Sequence, residues 1–97
     1  MNFNKITIIA KKTIEDINTT YATLFVENTV QDLSNCILDS LKENKQQSFI
    51  NNLSSNIIWL EACIYDQTGT YPKDDDFCTD IATKIYTELK SNQVVDF

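Results

Sequence analysis

The side chains with chemistry to offer in this sequence are three thiols, a tight group of aspartates and a single tryptophan, and their spacing decides what each can do. Cys36, Cys63 and Cys78 are odd in number and far apart, with no C-x-x-C pair, so neither a disulfide framework nor a zinc site is signalled. All three fall on or beside apolar stripes, where a thiol is ordinarily inert. The chain has no His, which removes the ordinary proton shuttle, the imidazole metal ligand and the base that a cysteine nucleophile would need. All eight basic residues are lysines, so there is no guanidinium fork for phosphate or guanine. Glu15 and Asp16 are adjacent in sequence but diverge on a helix, and no glycine-rich loop is present to cradle a phosphate. The expectation is a protein that is not an enzyme and uses no cofactor and no metal.

The aspartates are the densest feature. Asp74, Asp75, Asp76 and Asp80 crowd together, with Asp66 at the other end of the same loop. The plainer reading is that they stabilise and solvate the positive end of a helix dipole. The sharper one is that they meet a basic surface on another protein, since clustered charge of one sign steers encounter. Calcium fits less well, because the run 66–71 lacks the alternating ligand pattern of a calcium loop. Between these acids, Tyr71-Pro72-Lys73 followed by three aspartates resembles the Tyr-Pro segment of the colicin DNase immunity proteins, small acidic four-helix inhibitors. The resemblance covers about ten residues. Thr70 stands where that family carries a second tyrosine, and the third helix expected here is longer than theirs, so the likeness is one of type and not of membership.

These groups must be positioned by helices. With one Gly and one Pro in 97 residues, the chain has almost no breakers, and apolar residues recur at helical spacing nearly throughout. A first helix is expected over 4–27, with Ile6, Ala10, Ile14, Ile17, Tyr21, Leu24 and Phe25 on one face. The β-branched run 6–9 and a capping box at Thr13 and Asp16 leave a second option, an extended N-terminal arm. A second helix opens at Asn28 or Thr29 and aligns Val30, Leu33, Ile37 and Leu41. A third runs from Ser48 to just before Gly69, with Phe49, Ile50, Leu53, Ile57, Leu60 and Ile64 on one face. A fourth starts within Asp74 to Asp76 and aligns Phe77, Ile81, Ile85 and Leu89, leaving 92–97 frayed or extended. Short connections favour antiparallel neighbours. The predicted fold is therefore one all-α domain over 1–97, an antiparallel four-helix bundle, the alternative being three helices with a small N-terminal β element.

The third helix carries a second stripe, Ile58, Ala62 and Tyr65, with Trp59 at its edge. Either the helix is central and covered there by the first helix or the tail, or the stripe is an exposed docking patch anchored by Trp59 and Tyr65.

Charge narrows the partner. Fourteen acids against eight lysines give a net charge of −6, which repels phosphate backbones and disfavours direct nucleic-acid binding. The asymmetry is strong: residues 1–46 hold five Lys and six acids, whereas residues 47–97 hold three Lys and eight acids. No run approaches the roughly 20 apolar residues of a membrane span. The order of Ile6 to Ala10 before Lys11 and Lys12 is the reverse of a signal peptide, and unpaired thiols suit a cytoplasmic location.

Taken together, these features predict a stoichiometric inhibitor of the immunity, antitoxin or phage anti-defence (anti-CRISPR) type. Its surface would comprise Asp66, Asp74, Asp75, Asp76 and Asp80 with Ile58, Trp59, Ala62 and Tyr65. Its partner would be a basic protein such as a nuclease or defence effector. The alternative is a homodimeric structural or regulatory adaptor pairing through the third helix.

Overall fold

A computed structural model of the protein describes residues 3–97, and among them every regular element is a helix. The chain forms α1 (Phe3–Tyr21), α2 (Glu27–Ser40), α3 (Gln46–Asn56), α4 (Trp59–Thr68) and α5 (Phe77–Ser91). Helix α1 packs on α2, α2 on α3, α3 on α5 and α5 on α1, closing a ring of four. Their stripes make one core, in which Ile6, Ile14, Ile17, Leu33, Ile37, Phe49, Leu53, Ile85 and Leu89 are essentially solvent-free. The helix begins at Phe3, so the extended arm and the β element do not form. Thr13 is not a cap, since its hydroxyl donates to the Ile9 carbonyl one turn back at 2.8 Å.

The expected third helix is two helices. Continuity fails at Ile57 (φ −111°, ψ 13°), and the amides of Leu60 and Glu61 turn to carbonyls only three residues back, those of Ile57 and Ile58, at 3.0 Å each. Neither Gly nor Pro is responsible. The preceding Ser54, Ser55 and Asn56 are mediocre helix formers, and Ser54 Oγ donates back to the Ile50 carbonyl at 2.8 Å, a bond that bends helices. The Asn56 carbonyl is taken by the Cys36 thiol at 3.4 Å. On its side-chain face, Asn56 Nδ2 donates to Asn52 Oδ1 at 2.9 Å and Asp39 Oδ2 at 3.2 Å. The apolar stripe nevertheless stays in phase across the break, and Ile57, Leu60 and Ile64 are all buried.

Helix ends account for two further departures. The first helix stops at Tyr21 rather than Glu27, because Ala22 is left-handed (φ 57°) and the Thr23 amide donates to the Asn18 carbonyl at 3.2 Å, a six-to-one helix closure. Leu24, expected in the core, is instead 84% exposed. At the other terminus Gln93 (φ 59°) closes α5 in the same way, with the Val94 amide donating to the Leu89 carbonyl at 2.9 Å. The tail then folds back rather than fraying. Val95 is buried, the Phe97 ring lies 6.2 Å from Phe49, and the Tyr86 hydroxyl donates to the Phe97 carbonyl.

Candidate docking surface

The loop from α4 to α5 is built by local bonds. Gly69, left-handed at φ 76°, ends α4 by donating its amide to the Tyr65 carbonyl at 2.7 Å. The Thr68 hydroxyl donates to the Thr70 carbonyl at 3.0 Å. The turn brings Tyr71 back over α4, where its ring stacks on Tyr65 with centroids 4.5 Å apart and planes 23° from parallel. Both tyrosines stay exposed, at 56% and 44%. Beyond Pro72, Asp74 orders the start of α5: its carboxylate accepts from the Asp76 amide at 2.9 Å and its carbonyl from the Phe77 amide at 3.1 Å. Asp74 thus shapes the turn that leads into α5, whose N-cap Asp76 makes no side-chain capping bond.

The five aspartates singled out in the sequence are all exposed, but they do not act as one group. Asp80 binds its proton more tightly than an ordinary aspartate, chiefly through a hydrogen bond with Asp74, with slight desolvation and the negative charges of Asp74 and Asp76 adding to it and Lys84 opposing. Asp74 and Asp80 also act on Tyr21, whose proton affinity rises first through burial and then through these charges. Asp66 acts elsewhere: with Asp32 of α2 it adds to the burial that raises Cys63. Among the described residues, the ion pairs are Lys12 to Glu88 at 3.3 Å and Lys42 to Asp39 at 3.8 Å. None of Asp66, Asp74, Asp75, Asp76 or Asp80 is in either pair.

The second stripe on the third segment is uncovered. Ile58 is 59% exposed, Ala62 and Tyr65 are exposed, and Trp59 is half-buried. Neither α1 nor the C-terminal tail covers it, which overturns the reading of a helix buried on all sides. Leu24 and Val26, on the 22–26 loop, add large exposed aliphatic groups. That loop is held rigidly: Asn18 Oδ1 accepts from the Thr23 hydroxyl at 2.7 Å and the Phe25 amide at 2.9 Å, and Asn18 Nδ2 donates to the Phe25 carbonyl at 3.0 Å. The Leu24 amide donates to Gln67 Oε1 at 2.6 Å, tying the loop to the end of α4.

Sequence reasoning did not find a groove between α1 and α5, of about 370 Å³. Its floor is the buried backs of Ile9, Ile17 and Phe77, its accessible apolar lining is confined to the half-buried Tyr21 and Ile81, and its charged margins are Lys12, Asp16, Asp74, Asp80, Lys84 and Glu88. Ile81, expected in the core stripe, is only half-buried because it opens into this groove. No local signal marks it, since it arises from two helices far apart in sequence.

The thiols are held protonated. Burial pushes up Cys36, opposed by a hydrogen bond from Trp59. Cys78 is pushed up to about 12 by desolvation and by Glu61, whose carboxylate accepts its thiol hydrogen at 3.2 Å. Such thiols are poor nucleophiles near neutral pH. Glu15 and Asp16 are exposed, and no group of three or more His, Cys, Asp or Glu side chains is arranged to hold a metal ion among the described residues. No helix there is long and apolar enough to cross a membrane. Comparison with family models, with curated proteins and with solved structures returned no match.

Proposed function

We propose that the protein is a small acidic binding module that covers a basic, nucleic-acid-binding surface of another protein and so inhibits it, in the manner of an immunity protein, antitoxin or anti-CRISPR protein. The observation that carries this reading is the state of the aspartates at the start of α5. Asp74, Asp75, Asp76 and Asp80 stand in solvent without an ion pair, close enough that Asp80 is held above its ordinary proton affinity by its neighbours. A fold selected for stability alone gains from spacing or pairing such charges. A basic surface relieves the repulsion and gains a steered association. The exposed Tyr65 and Tyr71 stack toward the end of α4, with Ile58 and Trp59 at its start, supplies the apolar and aromatic anchors that hold a complex once formed.

The test is affinity capture from the native host at low salt, followed by association kinetics on the captured protein. The expected partner has a basic nucleic-acid-binding surface and loses that activity when bound. Its on-rate should fall with added salt, because a Debye length of about 8 Å at physiological ionic strength screens steering. Changing Asp75 and Asp76 to Asn should slow association while sparing the fold. An affinity indifferent to salt and to these changes sinks the acidic mechanism.

A homodimer through α4 is the second reading, favoured by the uncovered Ile58, Ala62 and Tyr65 stripe. Sedimentation separates the two. A monomer at tens of micromolar removes the dimer, and a dimer dissociated by Tyr65→Asp supports it.

A further inference from the structure

We infer that the chain docks end-on, inserting Leu24 and Val26 as a rigid two-residue plug into an apolar pocket of its protein partner whose rim carries lysine or arginine. This rests on the reading of the protein as an acidic binding module and adds which segment enters the partner and what receives it. Topology gathers the parts. Helices α1 and α4 finish, and α2 and α5 start, at one end of the bundle. There the Leu24 amide meets Gln67 Oε1 of α4 at 2.6 Å, and the Tyr21 ring meets that of Phe77 edge-on with centroids 5.6 Å apart. At the opposite end Lys5 Nζ donates to the Asn92 carbonyl at 3.0 Å.

Along 23–26 the residues alternate, as extended chain requires: Thr23 is buried and Phe25 half-buried, whereas Leu24 and Val26 stand 84% and 67% exposed. No large apolar side chain among the described residues is more exposed than Leu24. This exposure is enforced. Ala22 is held left-handed at φ 57°, a strained conformation for a residue with a Cβ, and the Asn18 amide grips Thr23 and Phe25 through three bonds. Strain and hydrogen bonds that fix two aliphatic side chains in water bring the isolated chain no apolar burial. They do remove the ordering cost of a bound state, in which both side chains leave water together.

Charge at the same end states what the pocket carries. Glu27, Asp66, Asp74, Asp75, Asp76 and Asp80 are all exposed there, against Lys73 alone. Helix dipoles do not offset them, because two helices begin and two finish at this end. Lys5, Lys42, Lys45 and Lys90 lie toward the other end, separated by the length of α1, roughly 28 Å for its 19 residues. That is several Debye lengths of about 8 Å, so these lysines leave the acidic end unscreened. A second copy of the chain brings the same acids and is repelled. An apolar pocket with a cationic rim matches both the plug and the carboxylates around it.

The test is site-specific photocrosslinking of the whole chain in its native host, with Leu24→benzoylphenylalanine as the probe and Ile8→benzoylphenylalanine as the control. Ile8 is also well exposed, at 65%, but sits on the flank of α1. Position 24 and not position 8 should link to one protein, and mass spectrometry should map the link to apolar residues bordered by lysine or arginine on that protein's surface. With the partner purified, Leu24→Ser combined with Val26→Ser should speed dissociation by about tenfold or more, with association and the circular dichroism spectrum little changed. Links of equal strength from position 8, a link from position 24 to a second copy of the chain, or a dissociation rate untouched by the paired serine change each overturn the plug. If Asp75→Asn with Asp76→Asn still slows association in those cases, the acidic-surface reading stands without it. No partner by crosslinking or by capture at low salt removes both.

Discussion

Asn18→Ala is the sharpest test of how the 22–26 loop is held. Three bonds depend on this one amide: from the Thr23 hydroxyl at 2.7 Å, from the Phe25 amide at 2.9 Å, and to the Phe25 carbonyl at 3.0 Å. Each such bond nets about 0.5 to 1.5 kcal/mol, so the gross loss is about 3 kcal/mol. Phe25 is only half-buried, and its backbone groups recover water when the loop loosens; Thr23 is 3% exposed and its hydroxyl does not. The expected net cost is about 2 to 3 kcal/mol, a fall in Tm of about 10 to 20 °C for a domain of this size. Urea and thermal unfolding followed by circular dichroism measure it. Thr23→Val removes one of the three bonds and should cost about 1 kcal/mol. Because the two changes share a bond, the double variant should cost less than their sum. A loss under 1 kcal/mol for Asn18→Ala, or strict additivity in the cycle, refutes the clamp, and the exposure of Leu24 and Val26 would then need another cause.

Ala22 closes α1 in the left-handed region, at a cost of about 1 to 2 kcal/mol that glycine avoids, against about 0.5 to 1 kcal/mol of added chain entropy. Ala22→Gly should therefore stabilise by about 0.5 to 1 kcal/mol in urea unfolding. Cys78 is pushed up to about 12 from an ordinary 9.0 in the folded chain, so the folded state keeps a proton that the unfolded state releases. The stability this represents is present below pH 9.0 and lost toward about 12, and alkaline urea titrations of Cys78→Ala should lack that decline. Asp80 is also raised, chiefly by a hydrogen bond with Asp74 and then by slight desolvation and the charges of Asp74 and Asp76, so the folded chain gains stability as pH falls through the folded value toward 3.8. Asp80→Asn should raise the urea midpoint at pH 7 and lose its advantage in acid. Trp59→Ala removes a half-buried indole and should cost about 2 kcal/mol, less than a fully buried aromatic.

The helical class and most of the core were legible because period is a local property. Ile6, Ile14 and Ile17, then Val30, Leu33 and Ile37, then Phe49 to Ile64 all lie where their spacing places them. The break at Ile57 was not, since the stripe remains in phase on both sides and the cause is weak helix formers joined to a thiol from another helix. Leu24 was misplaced for a related reason. Its apolar character extends the stripe of α1, and only the bonds of Asn18, together with the left-handed Ala22, turn the chain outward. The acids were read as one loop cluster because they are near in sequence; the fold sends Asp66 toward Cys63 and Asp32, and Asp74 and Asp80 toward Tyr21. Pairings of α1 with α5 are long-range, and with them went the groove.

The start of α5 joins these surfaces. Phe77, Asp80 and Ile81 turn toward α1 and line the groove, while Cys78, on another side of the same turn, bonds Glu61 of α4 at 3.2 Å. The acidic residues 74–76 therefore stand between the groove of α1 and α5 and the helix that carries Trp59 and Tyr65. In the proposed complex a partner centred on these acids would find its apolar and aromatic anchors on the α4 side, at Tyr65 and Tyr71, so long-range attraction and short-range anchoring would fall to different residues. That separation makes the mechanism divisible by kinetics. In the proposed complex, changes at Asp75 and Asp76 should slow association, whereas Tyr65→Ala should speed dissociation.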